Sequence, residues 1–144
     1  MKGLVLTAQA RSLAIAGATL FFVGLLQGAI VDAFANPRMA LSAHLDAVQS
    51  GMAIMIAAIF WPAARWQAPA ERIARWSLSV GMVGLWLGIS LAAMTGASDA
   101  LPMAGEGFSA GARAEAAVTA IIVISSVSLT IGWGLFLIGL IRSR

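Results

Sequence analysis

Four unbroken apolar runs leave this chain few ways to fold. They cover about residues 12–31, 39–61, 73–95 and 116–141. A helix rises 1.5 Å per residue, so about 20 residues cross the roughly 30 Å of hydrocarbon in a bilayer. The runs are continuous, without the apolar–polar alternation of a membrane barrel strand, which excludes barrel strands. The expected fold is all-α: a single domain of four transmembrane helices forming a bundle. Charge supports this, because only 10% of the 144 residues are charged. A typical soluble domain carries about 25% and needs them to coat its surface.

The few charges also predict an orientation. Lys2, Arg11, Arg65, Arg72, Arg75, Arg142 and Arg144 fall at the N-terminus, the second connection and the C-terminus. The first and third connections hold only Arg38 and Arg113. Cytoplasmic loops collect Lys and Arg, so both termini are expected in the cytoplasm, with the chain multi-pass in the inner membrane. The net charge of +3 is scattered over helix ends, which argues against a nucleic-acid partner. The basic start and the long first run read as a retained span and not as a cleaved signal.

Small residues mark places for close helix contact. Gly24 and Gly28 are four apart in the first run, and Gly84 and Gly88 in the third. The third connection, residues 96–113, is long and rich in small residues (GASDALPMAGEGFSAGAR). It reads either as a lid or folded cap over a site, or as a passive loop.

The chemistry-bearing residues concentrate in NPRMALSAHLDAVQSGMAIMIAAIFW, residues 36–61. His44, the only histidine, and Asp46 lie inside this span, where ionisable groups are costly and therefore functional by default. Projected at about 100° per residue, Ala40, Ala47, Val48 and Gly51 share the face of His44. A planar macrocycle could lie on such a strip with the imidazole on its iron, as a proximal histidine holds haem. A histidine satisfied by a backbone carbonyl or by another helix fits the same pattern. Asp46 points about 200° away, and Gln49 and Ser50 follow it on its own face. That face either lines a site shared with a neighbouring copy, or Asp46 is ion-paired with Arg38 or Arg113. Asp32 is placed to pair with Arg38 across the turn.

One histidine, no cysteine and no clustered carboxylates make a protein-bound zinc or di-iron site a poor fit. A haem held by one histidine keeps a position for substrate, whereas electron carriers usually use two protein ligands. Trp86 and Phe108 are candidate aromatic walls. A non-enzymatic haem-binding or electron-transfer subunit is the competing class. A small multidrug-type transporter fits poorly, because the first run has no carboxylate between Arg11 and Asp32.

The segment NPRMALSAHLDAVQSGM resembles the small four-helix hydroxylaminobenzene mutases, which are related to the styrene oxide isomerases. The isomerases carry a histidine at the matching place on helix two and a glycine seven residues later, here His44 and Gly51. The resemblance covers all four helices in length and order. It is specific in the residues around His44 and, more weakly, in PMAGEGFSA of the third connection. It implies a homotrimeric membrane isomerase with haem b at subunit interfaces, ligated by His44. Ferric iron would act as a Lewis acid on a small apolar aromatic substrate drawn from the lipid bilayer. In the isomerases this opens an epoxide to give an aldehyde; in the mutases the analogous step turns an aryl hydroxylamine into an aminophenol. The isomerase tyrosine on helix three has no counterpart, since the chain contains no tyrosine, and its asparagine six residues after the histidine is Ser50. These departures favour the mutase reaction, with Asp46, Gln49 and Ser50 as candidates to orient substrate or move protons.

Overall fold

A computed structural model describes residues 6–143; Lys2 and Arg144 of the orientation argument lie outside them. Four long helices form the molecule: α1 (Ala8–Gly28), α2 (Pro37–Phe60), α3 (Ala68–Thr95) and α4 (Ala112–Ile141). All four are long and apolar enough to cross a membrane. No strand occurs among the described residues.

The helices start earlier than hydropathy alone suggests, because caps and prolines, not apolarity, decide where a helix begins. Thr7 accepts from the Ala10 amide and opens α1 at Ala8. Asn36 accepts from the Met39 amide at 3.1 Å, and Pro37, whose missing N–H costs nothing there, supplies the first position of α2. Pro69 sits in the first turn of α3, ahead of the expected apolar start, so that turn crosses the polar interface. Gly96, at φ +78°, closes α3 in the left-handed conformation that glycine adopts without strain.

Two antiparallel hairpins result, α1 on α2 and α3 on α4, joined mainly by α2 packing on α3. Glycines let the backbones meet. A Cβ on Gly51 would stand 2.6 Å from the Phe21 amide and 2.7 Å from the Gly17 carbonyl oxygen. Gly24 faces Ala47 and Val48, and Gly88 faces Ile121 and Ile122, so both expected glycine pairs lie at helix contacts. On α4, Ser126 and Thr130 are satisfied within the helix, Ser126 donating to the Ile122 carbonyl and Thr130 to that of Ser126.

Each end of the bundle is closed by different means. At the end shared by the start of α1 and the finish of α4, Trp61 stacks on Trp66 and Phe136 with ring centroids 4.6 and 5.5 Å apart. The Arg65 amide there donates to the Gly139 carbonyl at 2.9 Å. At the opposite end, residues 96–111 fold into a cap. The buried Glu115 carboxylate accepts from the amides of Ser98, Asp99 and Ala110 at 3.0–3.1 Å. Asn36, fully buried, donates from Nδ2 to the Ala104 carbonyl at 3.1 Å, and its own amide donates to the Ala93 carbonyl. Arg38 donates to the Glu106 carbonyl. The third connection is therefore a folded cap, laced to the Asn-Pro-Arg turn.

Candidate functional site

His44 stands in α2 two turns below that cap, half-buried where α2 meets the last turns of α1. Its Nδ1 is 2.7 Å from the Gly24 carbonyl oxygen. A carbonyl only accepts, so Nδ1 carries the proton and Nε2 of the neutral ring keeps its lone pair. The imidazole lies against Gly28, where a Cβ would stand 2.7 Å from Cε1 and Nδ1. Gly24 thus fixes the tautomer, and Gly28 makes room for the ring. Nε2 takes no hydrogen bond among the described residues and is not one of the enclosed polar atoms.

The strip of small residues beside His44 does a different job from the one expected of it. Ala40, Ala47 and Gly51 are buried, and Val48 is half-buried. Gly24 meets Ala47 and Val48, Gly17 meets Gly51, and Ala40 packs in the cluster with Ile89 and Ala92. Neighbouring helices of the same chain cover Ala40, Ala47 and Gly51, and Val48 is left partly open. The side chains beside His44 on the outward side of α2 are larger. Leu41, Leu45 and Met52 are all exposed.

Asp46, Gln49 and Ser50 do share the other side of α2, at graded depth. Ser50 is buried, Asp46 half-buried and Gln49 exposed. The Oδ2 of Asp46 is enclosed and has no hydrogen-bond partner, so the expected ion pair with Arg38 or Arg113 is not formed. Arg38 is committed to the cap carbonyl of Glu106, which also replaces the expected pairing with Asp32. Within one chain, His44 and Asp46 face apart.

One polar cluster escaped the sequence reading. The Trp86 indole donates to Gln27 Oε1 at 2.6 Å, and Gln27 Nε2 donates to Ser90 Oγ at 3.1 Å. Gln27 is buried. Its signal was visible, since it is the one amide side chain in the first apolar run. Trp86, expected as an aromatic wall, also borders a cavity of about 230 Å³ with Ala16, Thr19, Leu20, Val23 and Val83, between α1 and α3. Phe108 lies in the cap, half-buried.

The sequence profile of the styrene oxide isomerases matches residues 9–141, which spans all four helices and the site around His44. The chain belongs to the styrene oxide isomerase family. Its relatives in that family include two proteins of Ectopseudomonas oleovorans. Hydroxylaminobenzene mutase HabB is 33% identical over 132 residues, covering 91% of this chain and 80% of HabB. Hydroxylaminobenzene mutase HabA is 35% identical over 85 residues, covering 59% of this chain and 63% of HabA. No solved structure matches. By this membership of the styrene oxide isomerase family the chain is an isomerase, built as a membrane four-helix protein.

Proposed function

We propose that this isomerase rearranges an aryl hydroxylamine to an aminophenol at a haem b held by His44. The reaction class rests on the family match and on two relatives that are both hydroxylaminobenzene mutases. The single observation that carries the cofactor reading is the bond from Nδ1 to the Gly24 carbonyl. A ring nitrogen held in this way leaves the other nitrogen as a metal donor of fixed tautomer and orientation, the arrangement found at metal-ligating histidines. His44 would therefore hold the iron through Nε2. Bound there, haem b supplies a ferric Lewis acid for the substrate's oxygen, with no net redox change.

The chain's own residues do the rest. The inward strip of α2 is covered by α1 and α3, so the residues left to hold the group beside His44 would be Leu41, Leu45 and the half-buried Val48. In one chain the outward side is open, and a second copy is needed to enclose it. The same arrangement reconciles His44 with Asp46. Each copy presents the ligand from one side of α2 and a carboxyl from the other, so ligand and acid meet at one substrate across an interface of a homotrimer. Asp46 moves the proton between nitrogen, oxygen and ring, while Gln49 and Ser50 orient the polar end of the substrate. An apolar aromatic substrate reaches this interface from the bilayer without crossing water. The arginines at the Trp61 end support a cytoplasmic position for that end and both termini, with the cap on the far side of the inner membrane.

Epoxide opening of the styrene oxide isomerase type is the second reading, favoured by the family profile itself. The deciding experiment gives the purified, full-length protein phenylhydroxylamine and styrene oxide in parallel and records its absorption spectrum. A high-spin ferric Soret band with aminophenol as product supports the proposal. Phenylacetaldehyde from styrene oxide, with hydroxylamine untouched, transfers the protein to the second reading. Absence of a Soret band after haem is supplied removes haem from both.

A further inference from the structure

The wall that fixes His44 is an unpromising piece of helix. It is the last turn of α1, it contains Gly24 and Gly28, and two glycines so close to a helix end lower its stability. The turn already tightens there: the Ala29 amide donates to the Leu26 carbonyl and the Ile30 amide to that of Gln27, both spanning three residues. The Gly24 carbonyl on this stretch is the group that accepts from Nδ1, so whatever steadies the end of α1 on α2 also steadies the ring.

Gln27 lies between the two glycines on this turn and is clamped at both ends of its amide. Trp86 can only donate, so its partner at 2.6 Å is the amide oxygen, and the amide nitrogen is thereby turned to Ser90 Oγ. Trp86 and Ser90 are one helical turn apart on α3, so one side chain of α1 bridges a full turn of a third helix. In hydrocarbon no water competes for these bonds. A chain of contacts then runs from α3 through Gln27 to the backbone of Gly24 and Gly28, and so to the imidazole.

We propose that Gln27, clamped by Trp86 and Ser90, is a positioning residue for His44: it holds the end of α1 where the Gly24 carbonyl selects the Nδ1–H tautomer and leaves Nε2 as the donor. The tautomer half of this stands on the geometry alone. The metal half rests on the haem reading above.

His44 is the only histidine, so ¹⁵N-histidine labelling gives one pair of ring signals and needs no further assignment. The full-length protein is prepared without added haem in nanodiscs, as wild type, Gln27→Leu, Trp86→Phe and, as a control, Gln9→Leu in the exposed first turn of α1. Wild type and the control are expected to show a single Nδ1–H tautomer. Gln27→Leu and Trp86→Phe are expected to show both tautomers in exchange, with haem retention on titration lowered about 10-fold, the low end of the loss seen when a ligand's outer partners are removed. Wild-type ring signals in both variants overturn the proposal, as does an Nε2–H tautomer in the wild type. Should Gln27→Leu fail to fold, Trp86→Phe decides alone, since it keeps an aromatic ring at the site and removes the donor. A wild type that never takes up haem sinks the cofactor reading and leaves the tautomer result standing.

Discussion

An imidazole in hydrocarbon has one proton to place when neutral, and at His44 the Gly24 carbonyl decides where it goes. The ring fits because Gly28 has no side chain. Gly28→Ala would put a methyl 2.7 Å from two ring atoms, so the ring or the helix must shift. Overpacking of this kind costs about 1–3 kcal/mol. We expect lowered thermal stability in detergent and a weakened Soret band for this variant. Gly134→Ala is the matched control, since nothing lies within 4 Å of the place its methyl would take, and it should stay within about 0.5 kcal/mol of wild type. His44→Ala should insert normally and lose both haem and turnover, because no second histidine can substitute; a full Soret band in this variant would end the ligand assignment. Asp46 differs in kind, since its enclosed Oδ2 has no partner to lose. Asp46→Asn is therefore expected to keep haem and folding while turnover falls about 100-fold, the lower range for a lost acid–base group. Unchanged turnover would return Asp46 to a structural part.

Among the elements, the cap between α3 and α4 depends on one carboxylate. Glu115, in the first turn of α4, takes three backbone amides that have no other acceptor in the loop. Glu115→Ala leaves these amides without their acceptor in the loop. The expected outcome is local: hydrogen exchange at Ser98, Asp99 and Ala110 accelerates by about 10-fold or more, while α2 and the body of α3 keep their protection. Equal acceleration throughout the helices would mean that the cap is part of the global folding unit. Helix α2 shows how one element divides its two sides. Its small side is spent on α1 and α3, and its outward side keeps Leu41, Leu45 and Met52 free for lipid or another copy.

For the whole molecule, two hairpins packed side by side leave His44 and Asp46 on different sides of α2, which no rearrangement of side chains can bring together. A site that needs both must draw them from two copies. Co-expression of His44→Ala with Asp46→Asn tests this directly. In a closed ring with random mixing, about a quarter of the interfaces receive an intact histidine from one copy and an intact carboxyl from the next. Activity should recover to about a quarter of wild type by this count. Recovery no higher than the Asp46→Asn background would place the whole site within one chain.

Apolar length by itself determined the helices, because a chain with so few charges has no alternative to satisfying its backbone within helices in lipid. The sequence likewise singled out His44, since a lone ionisable ring in a span is conspicuous, and it marked the glycines at which backbones meet. It located the Asn-Pro-Arg turn without showing its partner. What only the tertiary structure decided is which side of α2 meets which neighbour. The strip Ala40, Ala47, Gly51 reads equally well as a bed for a macrocycle and as a seam for a helix, because smallness permits close approach by either. Packing gave it to α1 and α3. Arg38 went to a backbone carbonyl instead of a carboxylate, and Gln27 found Trp86 across 59 residues of sequence. Such pairings follow from where helices cross, which local periodicity does not encode.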